Sequence, residues 1–253
     1  MKILHLHKIS KNQIKMKIAL IGYGKMGKEI EKIALERNHI ILMKIDGDKF
    51  DDFSDPKMQD VDVAIEFTQP ESAFNNYIKC FEANIPVVSG TTGWLEKLPE
   101  IKNICKNKHQ TFFYSSNFSL GVNLFFKLNE YLAKLMNKYS EYNVSITETH
   151  HTEKKDAPSG TAITLAEDLI NIYQGKTKWV KETEIDCSEL AIKSLRKVNV
   201  PGTHTISYES NVDTIEIIHT AKNRQGLALG TVLAAEFVFG KKGFFGMNDL
   251  LNL

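Results

Sequence analysis

Acid–base and anion-binding residue types are concentrated in one short segment of the sequence, 148–161. It contains two adjacent histidines, His150 and His151, the lysine Lys154, and a Ser-Gly-Thr turn that starts at Ser159. Histidine can donate a proton near neutral pH, and lysine can orient or neutralise an anion. The turn opens a predicted helix, whose first backbone amides readily bind carboxylate or phosphate. The segment therefore predicts a site that protonates a small anionic molecule.

A purely structural interpretation of this segment stays open. Ser159 can act as an ordinary helix cap, and a single histidine is more often structural than catalytic. His150 and His151 end a predicted strand, so their side chains should point to opposite faces and not share a metal ion. Because no spacing in the sequence resembles a zinc site, no metal is predicted. No spacing resembles a nucleophile elbow either.

A glycine-rich loop lies far upstream, at GYGKMG (22–27). It matches G-x-G-x-x-G, follows a predicted strand and precedes a predicted helix, which is the context that a dinucleotide site requires. The glycines allow a tight turn and close approach to a pyrophosphate, whose charge the helix N-terminus favours. Asp46 ends the next strand, at about the 20-residue offset of a ribose-binding carboxylate. The alternative is an ordinary glycine turn with an aspartate that caps a loop.

The cofactor predicted for this loop is NADH, with NADPH tolerated. A carboxylate at Asp46 accepts hydrogen bonds from a ribose 2′-hydroxyl and repels a 2′-phosphate. Lys25, Lys44 and Lys49 lie near enough in the sequence to attract that phosphate.

The order of the predicted elements distributes these motifs over two regions. From residue 17 to about 116, strands and helices alternate, which is typical of a parallel, doubly wound α/β sheet. A helix at about 122–137 follows, and then alternating strands at 143–150, 203–210 and 213–221 indicate a sheet with one wet face. The segment 175–200 has no clear pattern, whereas 231–239 is apolar all round and predicted to be buried. The apolar residues in register on the 122–137 helix are Leu124, Leu128, Tyr131, Leu132 and Leu135.

Composition excludes several other classes of function. The 253 residues have a formal net charge of +1, which gives no reason to predict binding to nucleic acid or to a membrane surface. No apolar run reaches the roughly 20 residues of a membrane helix. Three widely spaced cysteines, Cys80, Cys105 and Cys187, favour reduced thiols in a cytoplasmic protein. Residues 1–15 are basic and precede a second methionine, Met16, so we expect a dispensable extension.

Taken together, the motifs resemble the 4-hydroxy-tetrahydrodipicolinate reductase family, also called dihydrodipicolinate reductase. The resemblance runs from about Met16 to Leu253. It is carried by GYGKMG, IEFTQPE (65–71), SGTTGW (89–94), SSNFSLGVN (115–123) and above all ETHHTEKKDAPSGTA (148–162). The chain departs from the pattern at Thr152 and Glu153, where many members have basic residues, and this weakens the expected attraction for a dianion.

The resemblance implies an α/β fold with two domains. A Rossmann-like, doubly wound parallel-sheet domain is expected over 16–117, completed by about 223–253. A smaller α+β domain over 118–222 is expected to bind substrate and mediate a homotetramer. The implied reaction is the NAD(P)H-dependent reduction of 4-hydroxy-tetrahydrodipicolinate, a small dicarboxylate, to tetrahydrodipicolinate with loss of water. Whether the product feeds lysine or cell-wall diaminopimelate stays open.

The resemblance also implies roles for individual residues. His150 corresponds to the general acid, and Lys154 to a lysine that donates a proton or stabilises substrate charge. The implied substrate carboxylate site comprises His151, Ser159, Gly160 and Thr161. The implied cofactor site comprises Gly22, Tyr23, Gly24, Lys25, Met26, Gly27, Asp46, Phe67, Thr68, Gly90, Thr91, Thr92, Ser115, Ser116, Asn117 and Phe118.

Two other functions remain as alternatives. Another two-domain nicotinamide oxidoreductase, such as an aspartate or diaminopimelate dehydrogenase, would share the first domain but should lack the 148–162 motif. A non-catalytic nucleotide-sensing protein could retain the fold, but it has no need of a proton donor, such as His150, beside an anion pocket.

Overall fold

The computed structural model describes residues 14–47, 51–181 and 186–253. Within them the chain divides into two units: the described residues up to Ser116 together with Ala228–Leu250, and Asn117–Leu227 together with Leu251–Leu253. Most of the segment 1–15, which we expect to be dispensable, lies outside the described residues, so that expectation stays a prediction. In the part of the chain that is described, no helix is long and apolar enough to cross a membrane.

The described residues form eleven strands and seven α-helices. The strands are β1 Lys17–Ile21, β2 Ile40–Ile45, β3 Val63–Glu66, β4 Val87–Ser89, β5 Thr111–Tyr114, β6 Asn143–His150, β7 Lys178–Val180, β8 Glu189–Arg196, β9 Gly202–Glu209, β10 Thr214–Ala221 and β11 Gly243–Phe245. The α-helices are α1 Lys25–Glu36, α2 Pro70–Glu82, α3 Leu98–Asn107, α4 Leu120–Met136, α5 Gly160–Ile172, α6 Gln225–Val238 and α7 Met247–Leu251. Two short 3₁₀ helices lie at Pro56–Asp60 and Leu95–Lys97.

The first unit contains a six-stranded parallel sheet in the order β11-β5-β4-β3-β1-β2. Its strands are short apolar runs, as expected for strands covered on both faces, and Ile18–Ile21 of β1 are almost completely buried. The chain leaves β1 toward β2 on one side and returns to β3 on the other, so the order reverses between β1 and β3. Open parallel sheets bind ligands at such a switch point, beyond the carboxyl ends of the strands.

A partly buried ion-pair cluster attaches α6 to the amino-terminal part of the first unit. The carboxylate of Glu236 accepts hydrogen bonds from Nε and Nη2 of Arg37 at 2.7 and 2.8 Å. Nε2 of His39, whose side chain is fully buried, lies 2.8 Å from the same carboxylate. Burial acts to raise the pKa of Glu236, but the hydrogen bonds with His39 and Arg37 outweigh it, and the pKa is lowered. Glu236 should therefore stabilise the fold as a charged group.

We expect Glu236→Gln to lower the free energy of unfolding at pH 7 by about 1–3 kcal/mol, because Arg37 and His39 lose a charged acceptor. A carboxyl with a depressed folded pKa contributes stability above its unfolded value of about 4.3, and this stability is lost as the pH falls through the lower folded value. Urea unfolding of both proteins should therefore show a deficit at pH 7 that shrinks below about pH 4. The exposed Glu71→Gln is the control, and a deficit independent of pH would contradict a role for the charge.

The second unit contains a five-stranded mixed sheet in the order β10-β9-β6-β8-β7. β6 is antiparallel to β9 and parallel to β8. Burial alternates along β6, with Val144, Ile146, Glu148 and His150 buried and the residues between them less so. The predicted sheet with one covered face is therefore confirmed. Because side chains alternate between faces, the same rule that buries two aliphatic residues also buries a carboxylate and an imidazole.

Helix α4 presents a different apolar face to the core from the one that the sequence pattern marks. Leu124, Leu128, Tyr131 and Leu135 are each about half exposed, at 46–62%. The residues that pack in the core are instead Phe125, Ala133 and Met136, with Leu132 at its margin. The helix has apolar residues on two sides, so periodicity alone could not decide which side faces the sheet.

Other predictions fare differently. The apolar segment 231–239 is confirmed as largely buried within α6, with Val232, Ala234, Ala235 and Val238 fully buried. The segment 175–200, which showed no pattern, contains β7 and β8. Strand β11, which extends the first sheet beyond β5, was also not predicted.

Candidate active site

The glycine-rich loop connects β1 to α1 at the carboxyl end of the first sheet. Gly22 has a φ of +91°, which favours glycine, and a Cβ on it would lie 2.0 Å from the carbonyl oxygen of Phe67. A Cβ on Gly27 would lie 2.4 Å from the carbonyl oxygen of Gly22. Gly24 is the N-cap residue of α1, no described side chain caps this helix, and no described atom lies within 4 Å of the Cβ position of Gly24. The loop therefore fits a dinucleotide pyrophosphate, which needs close backbone approach at an uncapped helix N-terminus.

The end of β2 brings a carboxylate and a cation to this loop. Oδ2 of Asp46 accepts a hydrogen bond of 3.1 Å from the backbone amide of Tyr23. Lys44, two residues earlier on the same face of the strand, donates to Tyr23 Oη at 3.1 Å and pairs with Glu31 at 2.7 Å. These hydrogen bonds, chiefly the one with Glu31, raise the pKa of Lys44. Lys44 is thus already neutralised by Glu31.

The loops after β3 and β4 are joined through a buried carboxylate that the sequence analysis did not single out. Glu66 is fully buried and accepts hydrogen bonds from the hydroxyls of Thr68, Thr91 (3.1 Å) and Ser89 (2.8 Å). The backbone amide of Thr68 donates to Thr91 Oγ1 at 2.8 Å. The Phe67 ring fills the space beside Gly90, which follows β4. A Cβ on Gly90 would lie 2.2 Å from Phe67 Cε1. One carboxylate therefore fixes both loops.

The structure brings the predicted cofactor residues of the first unit to one edge of its sheet. Asn117 and Phe118 belong to the second unit, in which Asn117 lines the pocket described below. The residues in the loops after β1 to β5, or in the first turns of α1, are Gly22, Tyr23, Gly24, Lys25, Met26, Gly27, Asp46, Phe67, Thr68, Gly90, Thr91, Thr92, Ser115 and Ser116.

The second unit has a pocket of about 370 Å³ beside the end of β6. Three predicted site residues line it: His150, Thr161 of the first turn of α5, and Asn117. The sequence analysis did not predict the other lining residues, which include two histidines, His204 on β9 and His219 on β10. The complete lining is Asn117, Ser119, Val122, His150, Thr161, Pro201, Gly202, His204, His219, Thr220, Ala221, Lys222, Asn223, Gly226 and Leu227.

Glu148 is the buried centre of this site. Its carboxylate accepts two hydrogen bonds from the backbone amide of Ser159, at 3.0 and 3.1 Å, and one from the Ser194 hydroxyl at 2.8 Å. Nδ1 of His150 lies 3.3 Å from its Oε2, and Arg196 Nη1 lies 3.7 Å from its Oε1. Burial acts to raise the pKa of Glu148, but hydrogen bonding with His150, Ser159 and Ser194 dominates and lowers it well below the usual range. The carboxylate is therefore ionised at neutral pH.

His204 packs against His150 and is neutral at neutral pH. The two ring centroids are 5.1 Å apart. Burial, followed by the neighbouring His150, lowers the pKa of His204 to about 4. The Ser159 hydroxyl accepts a hydrogen bond from the amide of Ala162, so it is placed to donate to His204 Nε2 at 3.1 Å. Ser159 thus caps α5 as its type predicts, and its hydroxyl serves this cap and His204.

The first turn of α5 keeps an accessible backbone. Gly160 is exposed, and no described atom lies within 4 Å of its Cβ position. Thr161, which follows it, lines the pocket. An exposed helix N-terminus beside a pocket suits a carboxylate.

Lys154 and His151 do not line this pocket. Nζ of Lys154 contacts both carboxylate oxygens of Asp156 at 2.8 Å. Arg196 holds the same loop, donating to the carbonyl oxygens of Asp156 at 2.7 Å and Lys154 at 3.4 Å. His151 follows β6 and is less buried than His150, as the predicted alternation requires. The structure therefore brings His150, but not Lys154 or His151, to the pocket lining.

One metal-like arrangement appears in the described residues, although no metal was predicted. Ligand atoms of Glu148, His150 and His204 lie within 4.8 Å of one another. Both Glu148 oxygens, however, already accept hydrogen bonds from Ser159.

The chain combines a parallel sheet, which has a glycine-rich loop of the dinucleotide-binding type, with an α+β unit that carries a histidine-lined pocket. This combination defines the class of two-domain nicotinamide-dependent oxidoreductases. Models of the dihydrodipicolinate reductase N-terminus and C-terminus match residues 16–118 and 121–251, respectively. The chain belongs to the dihydrodipicolinate reductase family. Members of this family are NAD(P)H-dependent oxidoreductases.

Individual relatives agree with this assignment. The 4-hydroxy-tetrahydrodipicolinate reductase of Christiangramia forsetii is 50% identical over 239 residues, covering 94% of this chain and 98% of that one. The protein of the same name from Buchnera aphidicola is 35% identical over 206 residues, covering 76% and 72%. Among solved structures, dipicolinate-bound dihydrodipicolinate reductase from Paenisporosarcina sp. TG-14 has a TM-score of 0.75 at 22% identity, covering 92% and 98%. This last likeness establishes the fold, as the resemblance predicts.

Proposed function

We propose that the chain reduces 4-hydroxy-tetrahydrodipicolinate to tetrahydrodipicolinate with NAD(P)H, in the biosynthesis of diaminopimelate and lysine. The observation that carries the proposal is one pocket lined by both His150 and Thr161 at the start of α5. It offers a proton donor and an anion-binding helix end, in the region that matches the family's C-terminal model. The reductase name of a relative 50% identical over nearly the whole chain supports the same reaction.

The second unit supplies the proton and holds the substrate. Loss of the ring hydroxyl as water leaves a conjugated imine, and its reduction requires one hydride and one proton. A bound nicotinamide supplies the hydride. His150 donates the proton. The neighbouring His204 is neutral and therefore adds no second positive charge beside His150. The backbone amides of Gly160 and Thr161 hold a substrate carboxylate, and His151 and Ser159 support this contact. Once the Lys154 side chain leaves Asp156, Lys154 stabilises substrate charge or donates a proton.

The first unit holds the cofactor through the loops after β1 to β5. The backbone amides around Gly24, at the start of α1, contact the pyrophosphate. The Asp46 carboxylate accepts a hydrogen bond from a hydroxyl of the adenosine ribose. The nicotinamide half of the cofactor is flanked by Phe67, Thr68, the Gly90–Thr92 loop and Ser115–Phe118. Binding and orienting the two reactants at close range would supply much of the rate.

We propose NADH as the preferred cofactor. Of the three lysines that could attract a 2′-phosphate, Lys44 is neutralised by Glu31, Lys25 is exposed at the start of α1, and Lys49 lies outside the described residues. Asp46, by contrast, lies at the loop with its carboxylate on the Tyr23 amide. The arrangement favours a free ribose hydroxyl over a phosphate.

Two substitutions should move this preference toward NADPH. Asp46→Ala removes the ribose acceptor and the repulsion of a phosphate, and Glu31→Gln releases the charge of Lys44. We expect each to raise the ratio of kcat/KM for NADPH over NADH by about fivefold, roughly 1 kcal/mol, at low salt. Adding Lys44→Met to Glu31→Gln should cancel the second effect. An unaltered ratio in both variants would locate ribose recognition elsewhere.

The substrate class is testable by binding alone. With NADH present, calorimetry should show that pyridine-2,6-dicarboxylate binds at least tenfold more tightly than the matched pyridine-2-carboxylate. One carboxylate can bind the start of α5, and the second adds a charge that Lys154 can stabilise. Equal, weak binding of the two acids would contradict a dicarboxylate pocket.

We further propose a cytoplasmic homotetramer that assembles through the second unit and binds neither nucleic acid nor membrane. Exposed apolar side chains on α4 (Leu128, Tyr131 and Leu135) and on β10 (Ile215 and Ile218) support an interface there. Light scattering of the purified protein should give a mass about four times that of one chain, and a monomer mass would contradict this assembly.

A further inference from the structure

We infer that Glu148 is the positioning residue of the site: its buried carboxylate orients the His150 imidazole, places a negative charge beside it, and ties it to the first turn of α5. This inference rests on the function proposed above, in which His150 gives its proton to the substrate. Glu148 itself lines no part of the pocket and acts through His150.

The position of Glu148 follows from the alternation of β6. Glu148 and His150 are two residues apart and therefore share the buried face of the sheet. Nδ1 of His150 lies 3.3 Å from Glu148 Oε2. On the other side of the ring, a Cβ at Gly202 would lie 3.1 Å from His150 Nε2, so the imidazole rests against the β9 backbone. The ring is held between a carboxylate and a glycine, with Nε2 on the side of Gly202, which lines the pocket.

The charge of Glu148 is itself fixed by its surroundings. Its side chain is fully buried, which disfavours ionisation, but it accepts from the Ser159 amide and the Ser194 hydroxyl. The interaction with His150 and these two donors together lower the pKa of Glu148 despite its burial. The carboxylate is therefore an anion of fixed position, with its Oε2 3.3 Å from Nδ1 of His150.

The other titratable groups packed around His150 do not place a negative charge beside it. From β9, His204 is neutral because its pKa is lowered to about 4. From β10, burial also lowers the pKa of His219. Arg196 of β8 and the loop lysine Lys154 carry positive charge, and Lys154 pairs with Asp156. Among these groups, Glu148 is the one that places a negative charge next to His150.

The same carboxylate connects the proton donor to the anion site. Ser159, whose amide donates to both Glu148 oxygens, is the N-cap of α5, and Gly160 and Thr161 follow it directly. In the proposed step the proton on His150 Nε2 passes to the reduced ring, while Nδ1 stays on the side of Glu148, 3.3 Å from its Oε2. The neutral imidazole is then reprotonated from solvent. Glu148 thus fixes the distance between the group that gives the proton and the helix end that holds the carboxylate.

Glu148→Gln tests the inference, because the amide is nearly isosteric and can still accept from Ser159. We expect kcat to fall at least tenfold, the alkaline limb of the kcat pH profile to move to lower pH, and the affinity for NADH to stay unchanged. Glu209→Gln, at the exposed end of β9 in the same sheet, is the matched control and should change none of these. A fall in kcat with an unmoved pH profile would show a merely structural role and overturn the inference.

A second measurement does not depend on turnover. The carbon-bound ring proton of His150, assigned by its loss in His150→Gln, can be titrated by NMR in the intact protein. We expect a lower titration midpoint in Glu148→Gln than in the wild type and no change in Glu209→Gln. An unchanged midpoint in folded Glu148→Gln would overturn the inference, whereas a lowered midpoint in a protein without reductase activity would reject only the proposed reaction.

Should Glu148→Gln fail to fold, Glu148→Asp keeps the charge but withdraws it by one methylene. The same titration should then give a midpoint below that of the wild type. A midpoint equal to that of the wild type would overturn the inference.

Discussion

Replacing His150 with glutamine should lower kcat about 10²- to 10⁴-fold, the usual contribution of a positioned general acid. Glutamine keeps a polar side chain of similar reach at the end of β6 but cannot donate a proton at the required acidity. The residues proposed to hold the cofactor, apart from Asn117 and Phe118, lie in the other unit, so the affinity for NADH should stay within about twofold. Steady-state kinetics and a fluorescence titration with NADH measure the two quantities.

A histidine elsewhere provides the control for this result. His109 is exposed in the loop between α3 and β5, at a φ of +51°, and His109→Asn keeps a residue that tolerates this conformation. It should leave kcat unchanged. Wild-type turnover in His150→Gln would remove His150 from the mechanism and shift attention to Lys154.

Replacing Gly24 with alanine should weaken NADH binding at least tenfold without lowering the melting temperature. Gly24 has a φ of −76°, which alanine adopts, and its Cβ would meet no described atom within 4 Å. The added methyl group therefore costs the protein nothing but occupies the space through which the pyrophosphate approaches the backbone. Fluorescence titration with NADH and thermal unfolding separate the two effects.

Two further glycines complete the design of this experiment. Gly160→Ala, whose Cβ likewise meets no described atom, should raise the substrate KM and leave NADH affinity unchanged. Gly22→Ala should lower the melting temperature as well as NADH affinity, because its φ is +91° and its Cβ would lie 2.0 Å from Phe67 O. Normal NADH binding by Gly24→Ala would contradict the assignment of this loop to the pyrophosphate.

The fold was largely predictable because its signals are local. Strand β1 is a short apolar run that ends at Gly22, and β6 alternates strictly, so each gives a clear period. Helix α4 was harder, since Leu128 and Phe125 lie on different apolar sides and only the sheet decides between them. Strands β7 and β8 are charged and irregular, and β8 is recognisable only from its pairing with β6, which is a long-range contact.

The candidate site was predictable to the extent that its residues are close in sequence. His150 and Thr161 lie eleven positions apart in one motif, and the structure places both at one pocket. Residues from other strands were missed: His204 comes from β9, and Arg196 comes from β8. Glu148 could have been found, because the period of β6 puts it on the same face as His150. The pairing of Lys154 with Asp156 was not predictable, since it depends on the conformation of the intervening loop.

The most direct test of the account is a coupled assay. Pyruvate and aspartate semialdehyde are mixed with the synthase that condenses them, this protein is added, and the loss of NADH or NADPH is followed by absorbance. We expect rapid oxidation that requires the synthase, with NADH faster than NADPH, and mass spectrometry should identify tetrahydrodipicolinate as the product. If the folded protein oxidises neither cofactor under these conditions, the proposed reaction is wrong, and a sister dehydrogenase or a non-catalytic nucleotide-binding role takes its place.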